Sequence, residues 1–549
     1  MRPLIAGSIA AIALAASIPA VSHADDTVAP PAVEAVDVGT ATIPAVSDEQ
    51  ARSAERADED AADLVAELPA RRTDDFGLVG VTWTRGFDAT GMTVQVRLRA
   101  DRAWSDWEEL EVHDDEGAGG RDGTEPLWVG AADGVSVRVT SPTGERPTGL
   151  SVTTIDPGTI RSESTSSTAS NAMYSTADST AIQAVDGSPT YTPRPAIISR
   201  SDWGARRNTS CDSPRHGNET RGIVVHHTAG SNSYTASHSK SIVRAVQAYH
   251  MDGRDWCDIG YNFLVDKYGQ VFEGRNGGTD RAVRGAHAGD LSVNTYTMGV
   301  SMMGTFEGSE PTAATKTAMV QLIGWRLGTT FHPATGTYSV GSRQLHRIAG
   351  HRNVVSTACP GAAAYAWLSR ADGLRDRVSA YTASYASAIK SRWQELGSAR
   401  TGPVAVGEYA FTNDGGGRKA RLLNLDLYSS SRGTFSVGGE YRSTYATLGS
   451  QTGSLGAPAG EAEATSRSVV SLQRFGHGTV YRVVRGGNAK AYGIWGAMYD
   501  KYASLGEASS ALGAPSSNQV AISGGRSRAY FGYGYMTVQA DGTVTVTMT

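Results

Sequence analysis

Two histidines and a cysteine, far apart in the chain, carry the chemistry this sequence spells most clearly. His226-His227-Thr228 ends the apolar run Ile223-Val224-Val225, and His351 stands eight residues before Cys359-Pro360-Gly361. Imidazole nitrogens and a thiolate are donors that suit zinc. Three protein ligands leave a fourth position for water, the pattern of a catalytic zinc, and the CxxC-type clustering of a structural site is absent. Such an ion lowers the pKa of its water to about 7 and polarises a carbonyl, so the implied chemistry is hydrolysis. A histidine at a strand end is on its own more often structural than a ligand, and it is the combination that carries weight.

Side chains so distant in sequence need a scaffold that brings them together. From Ala196 to about Tyr385 apolar strands alternate with helical patterns, the signature of an α/β domain. Ile223-Val224-Val225 reads as a short buried strand. Ser239 to Met251 reads as a helix with Ile242, Val246 and Tyr249 on one stripe. Tyr261 to Val265 and Gln270 to Glu273 flank the Asp266-Lys267-Tyr268-Gly269 turn as a hairpin. Met298 to Met303 is a further buried strand, followed by a helix carrying Met319, Ile323 and Leu327. Sites collect at strand ends in such folds.

Within this region the ordered motifs are Ile223-Val224-Val225-His226-His227-Thr228-Ala229, Trp256-Cys257-Asp258-Ile259-Gly260-Tyr261-Asn262-Phe263, Phe272-Glu273-Gly274-Arg275, Gly285-Ala286-His287, His351-Arg352-Asn353 and Thr357-Ala358-Cys359-Pro360-Gly361. Together they resemble the peptidoglycan recognition protein family, which is related to the type 2 N-acetylmuramoyl-L-alanine amidases. The resemblance runs from about Ser199 to Leu368. It implies a mixed β-sheet flanked by helices, with Zn2+ held by His226, His351 and Cys359 and with His227 as a neighbour rather than a ligand. It also implies catalytic roles for Tyr261 and Thr357 as donors beside the developing oxyanion.

The residues expected to meet substrate are His227, Arg275, His287 and Asn294; for His287 a position fixed by packing stays open. Cys211 and Cys257 remain for a disulfide, with two free buried thiols as the alternative. The reaction implied is hydrolysis of the amide between the muramic acid lactyl group and L-alanine. Receptor-only members of the family usually lack the cysteine ligand, which this chain keeps. Arg275-Asn276-Gly277-Gly278 departs from the Gly-Trp common in members favouring diaminopimelate peptides, so the stem-peptide preference is open.

The rest of the 549 residues calls for a modular protein of roughly three or four domains. With 40% hydrophobic and 19% charged residues the chain suits folded domains, and a net charge of −5 gives no field for nucleic acid. Residues 1–24, Arg2 followed by an apolar Ala-rich run and Ser22-His23-Ala24, read as a secretory signal peptide. No later stretch is apolar for long enough to cross a bilayer, so the mature chain is expected to be secreted and cell-wall associated.

Residues 25–70 read as a flexible, acidic lead-in and 71–158 as a β-sandwich-like accessory domain whose Trp83, Trp104, Trp107 and Trp128 are expected in its core. Residues 159–194 form a Ser/Thr-rich linker, 195–385 the zinc amidase domain and 386–549 a repeat domain. In the last, Leu448-Gly449 before Leu455-Gly456-Ala457-Pro458 recurs as Leu505-Gly506 before Leu512-Gly513-Ala514-Pro515, each with an aromatic residue upstream. A weaker copy runs from Trp393 to Pro403. These copies are similar to the LGFP repeat of wall-associated proteins, which implies binding to envelope polymers besides peptidoglycan. Two other functions remain in play: a non-catalytic peptidoglycan-binding protein, and an adhesin-like envelope protein with a vestigial, metal-free α/β domain.

Overall fold

The computed structural model describes residues 37–47, 50, 63–113, 120–158, 191–207 and 214–549. The expected signal peptide, all but the last four residues of the expected linker, and Cys211 lie outside the described residues. No helix among those described is long and apolar enough to cross a membrane.

The protein is multidomain. At its centre a five-stranded mixed sheet runs in the order 271–273, 263–265, 297–302, 222–227, 348–350. The first two strands form the expected antiparallel hairpin, and the other neighbours pair in parallel. Gly222–His227 is buried along its whole length, as an unbroken apolar run in a parallel sheet must be. One face is covered by the helix Ala313–Thr329, capped by Thr312, whose Met319, Leu322, Ile323 and Leu327 pack onto Ile223, Val225, Val300 and Met302. Each such side chain contributes about 1.5–3 kcal/mol on burial. The other face takes the helix Ser239–Ala248, which ends in a π-helical turn, Tyr249–Gly253.

The N-terminal domain is one nine-stranded sheet, not two separate ones. Its strand Leu64–Trp83 is 20 residues long and bulged; its first part pairs with residues 134–140 and its last part with Ser151–Ile155, so a single ladder curls around the core. The segment expected as a lead-in contributes to this sheet, because Asp37–Thr42 pairs with Ser151–Asp156 and Leu64 begins the long strand. Its alternating burial, masked in sequence by the acidic stretch before it, is that of a half-buried strand. Trp83 is buried in this domain's core as expected, Trp128 is buried instead against the central domain, and Trp104 and Trp107 are half-buried, Trp107 under the Arg138 guanidinium.

This domain does not hang from the central one by a tether. Leu78, Trp128 and Ile155 share one apolar cluster with Trp203, Ile242, Val246, Tyr249 and Leu264. Tyr249 donates its hydroxyl to the carbonyls of Val81 and Thr124, and Arg244 donates to those of Pro157 and Gly158.

Three four-stranded antiparallel sheets, residues 404–438, 463–495 and 520–548, make up the C-terminal region. The first two lead into the helices Gly439–Thr447 and Gly496–Ser504. Gly449, Gly456, Gly506 and Gly513 all have φ between 70° and 94°, which explains why both copies place glycine there. The upstream aromatic is accounted for too: Tyr445 donates to the Gly456 carbonyl and Tyr502 to that of Gly513, each at 2.7 Å.

Candidate metal centre

Strand register builds the centre. Val225 pairs with Gly350 in parallel, so the next residue of each strand, His226 and His351, leave neighbouring carboxyl ends side by side with ring centroids 4.4 Å apart. A short helical turn, His351–Asn353, and the loop after it return the chain so that Cys359 Sγ sits 3.7 Å from His226 Nδ1. The ligand atoms of His226, His351 and Cys359 all lie within 4.8 Å of one another.

Burial pushes the Cys359 thiol well above its usual range, helped by the nearby carboxylates of Glu111 and Glu125. A divalent cation bound here would reverse that shift, since a coordinating thiol is deprotonated outright. Two imidazoles and one thiol converging on one point therefore fit zinc.

The second layer is ordered. His226 faces Cys359 with Nδ1, and its Nε2 lies 3.0 Å from His287 Nδ1. Burial and the Arg275 charge hold His287 down to about 3, so its ring is neutral and its Nδ1 can accept a hydrogen bond from the His226 Nε2–H. The Asn294 side chain fixes this loop by accepting from the backbone N–H of His287 and of Ala288. Gly299 makes room: a Cβ there would come within 2.4 Å of the His287 ring. Arg275 reaches back to the Ile259 carbonyl. His287 and Asn294 thus sit beneath the metal ligands, not along an open groove.

Tyr261 precedes the strand Phe263–Val265, with its ring centroid 5.3 Å from that of His226. His227 donates its backbone N–H to Cys359 Sγ at 3.4 Å. Cys257 is disulfide-bonded and Cys359 is a free thiol; Cys211, the partner expected for Cys257, lies outside the described residues.

Two residues that sequence reasoning missed come from the N-terminal domain. Glu111 accepts from the Thr357 hydroxyl and from the Cys359 N–H at 2.9 Å, and its other oxygen lies 2.8 Å from His227 Nε2. Glu125 accepts from the Tyr261 hydroxyl at 3.1 Å. Under this cover His226, His351 and Cys359 are at most 1% exposed and Tyr261 is 3% exposed. Nothing in the local pattern marks either glutamate: both look like ordinary charges in a turn-rich β region, and only the docking of the two domains brings them to the site.

Three stretches of the chain match known families. Residues 216–362 match the N-acetylmuramoyl-L-alanine amidase family model, 31–170 an N-terminal galactose-binding domain-like model and 455–510 the LGFP repeat. Peptidoglycan-recognition protein SC2 of Drosophila melanogaster is 38% identical over 165 residues, which is 30% of this chain and 80% of that protein. Peptidoglycan recognition protein 1 of Bos taurus is 36% identical over 166 residues, 30% of this chain and 78% of its own. The solved structure of wild-type Drosophila PGRP-LB matches with a TM-score of 0.27 and 29% identity, covering 32% of this chain and 92% of that one.

Proposed function

The chain belongs to the peptidoglycan recognition protein and type 2 amidase family, with C-terminal LGFP repeats, and from that premise we propose that it is a zinc-dependent N-acetylmuramoyl-L-alanine amidase. The observation that carries this reading is the convergence of His226, His351 and the free thiol of Cys359 within 4.8 Å at the carboxyl ends of two parallel strands. Zinc bound there supplies Lewis-acid polarisation of the scissile carbonyl and a water acidic enough to attack at neutral pH.

The protein's own groups do the rest. His287 holds the His226 ring in one tautomer, and Asn294 holds His287. The hydroxyls of Tyr261 and Thr357 are preformed donors for the oxygen that gains negative charge as the lactyl–alanyl amide turns tetrahedral. Breaking the C–N bond leaves a lactyl carboxylate on the sugar and a free amine on L-alanine. We assign the repeats to envelope attachment and the chain itself to the secreted, cell-wall-associated proteins. A chain held on its polymer substrate works at a raised effective concentration.

The test pairs metal analysis with digestion of soluble muropeptides by wild type and Cys359→Ser. Wild type is expected to carry about one zinc per chain and to release peptide stems. Equal activity in Cys359→Ser would overturn the ligand assignment, and binding without release by any zinc-loaded form of the protein would make it a recognition module.

A further inference from the structure

The donors that the amidase reading reserves for substrate are already engaged. Tyr261 donates to Glu125, while Thr357 and the Cys359 N–H donate to one oxygen of Glu111. Hydrogen bonds to an ionised acceptor are the strong ones, and several directed at a single carboxylate hold it firmly. Both glutamates belong to the N-terminal domain, whose position is fixed by the cluster of Leu78, Trp128 and Ile155 with Ile242 and Tyr249. Arg121 and Arg254 add a reciprocal clasp: the Arg121 N–H donates to the Arg254 carbonyl, and Arg254 Nε donates to the Arg121 carbonyl. The contact is therefore built at both ends, and it closes the metal ligands off from solvent.

The chemistry of the intruding groups is telling. On the amidase reading, hydrolysis of the lactyl–alanyl amide yields a carboxylate that these same donors would bind. We propose that Glu111 and Glu125 act as built-in mimics of that product carboxylate and hold the amidase latent, so that substrate gains the site only by displacing them. The inference rests on the amidase reading. A site occupied in this way is a two-state equilibrium, and the affinity observed for any ligand falls by the fraction of molecules that stand open. Because the two carboxylates engage different donors, losing both should matter more than losing either one, which leaves the other's donors occupied.

The experiment compares the full-length wild type with Glu111→Ala/Glu125→Ala and with Glu111→Gln/Glu125→Gln, the latter keeping side-chain volume so that a fold is retained if the alanine pair loses it. Affinity for a soluble muramyl tripeptide is measured by calorimetry on metal-free protein, and release of peptide is measured on zinc-loaded protein. Tighter binding by roughly tenfold or more in the alanine pair, or a smaller gain in the glutamine pair if only that one folds, supports latency. Faster release should accompany it. Tighter binding with no release by any form keeps the occlusion and removes the amidase. Release by the wild type with no gain in affinity in either variant keeps the amidase and overturns the latency. A fall in both readouts, in a variant that remains folded, also overturns it and makes the glutamates positioning residues.

Discussion

His226 Nε2 lies 3.0 Å from Nδ1 of His287, while Nδ1 of the same ring faces Cys359. One imidazole therefore has a metal side and a protein side, and the protein side ends on a ring that burial keeps neutral. Replacing His287 by Ala should leave the ligands in place yet lower zinc affinity about 10- to 100-fold, because His226 loses the partner that fixes its tautomer. Competition with a chromophoric chelator measures this, and an unchanged affinity would remove His287 from the second layer.

Tyr261→Phe separates binding of the metal from use of it. The ring can stay packed against His226, so zinc content should match wild type. The turnover number should fall by about 10²–10³ with little change in KM. A variant that loses its zinc would instead give Tyr261 a part in holding the centre together.

Stability should depend on pH through His332. Burial, with Arg347 and Arg221 close by, lowers this histidine to about 4. The Glu219 carboxylate, 3.8 Å from its Nε2, does not offset them. An unfolded chain takes up the proton near pH 6.5 and the folded one does not until about pH 4. The contribution is therefore complete above pH 6.5 and is lost as the pH falls towards 4, by about 3 kcal/mol in all. As the pH falls across that window the wild type should lose stability to urea relative to His332→Gln; parallel curves would contradict the assignment.

The seam between the N-terminal and central domains can be tested at Gly80 and Tyr249. A Cβ on Gly80 would fall 2.4 Å from the Tyr249 ring, so Gly80→Ala forces a shift and should cost about 1–3 kcal/mol. Tyr249→Phe strips the donor from the Val81 and Thr124 carbonyls at a similar cost of about 1–3 kcal/mol. Thermal unfolding reads both, and the double variant should cost less than the sum, since the smaller ring tip relieves part of the clash.

Much of the centre was legible because short-range rules carried it. An all-apolar run before His226 marks a buried parallel strand, and hydrolytic sites gather at the ends of such strands. The hairpin around Asp266-Lys267-Tyr268-Gly269 and the helix holding Met319 and Ile323 follow from turn chemistry and a 3.6-residue period. The expected helix to Met251 ends early at Ala248, where the backbone loosens into a π turn that no side-chain periodicity announces. What local pattern could not supply was long-range pairing. Strand 37–42 finds its partner more than a hundred residues later, and Glu111 meets Thr357 only after two domains have docked. The groove roles expected for His287 and Asn294 met the same limit, since whether a polar side chain faces water or a neighbour is decided by packing across the sheet.

The apolar cluster that joins Leu78, Trp128 and Ile155 to Ile242 and Tyr249 has a practical corollary. Excising residues 195–385 at the apparent boundary would strip a greasy surface bare on the helix Ser239–Ala248, inviting self-association. Here the neighbouring domain is the garment for that flank, and any truncated version will need one sewn on in polar side chains.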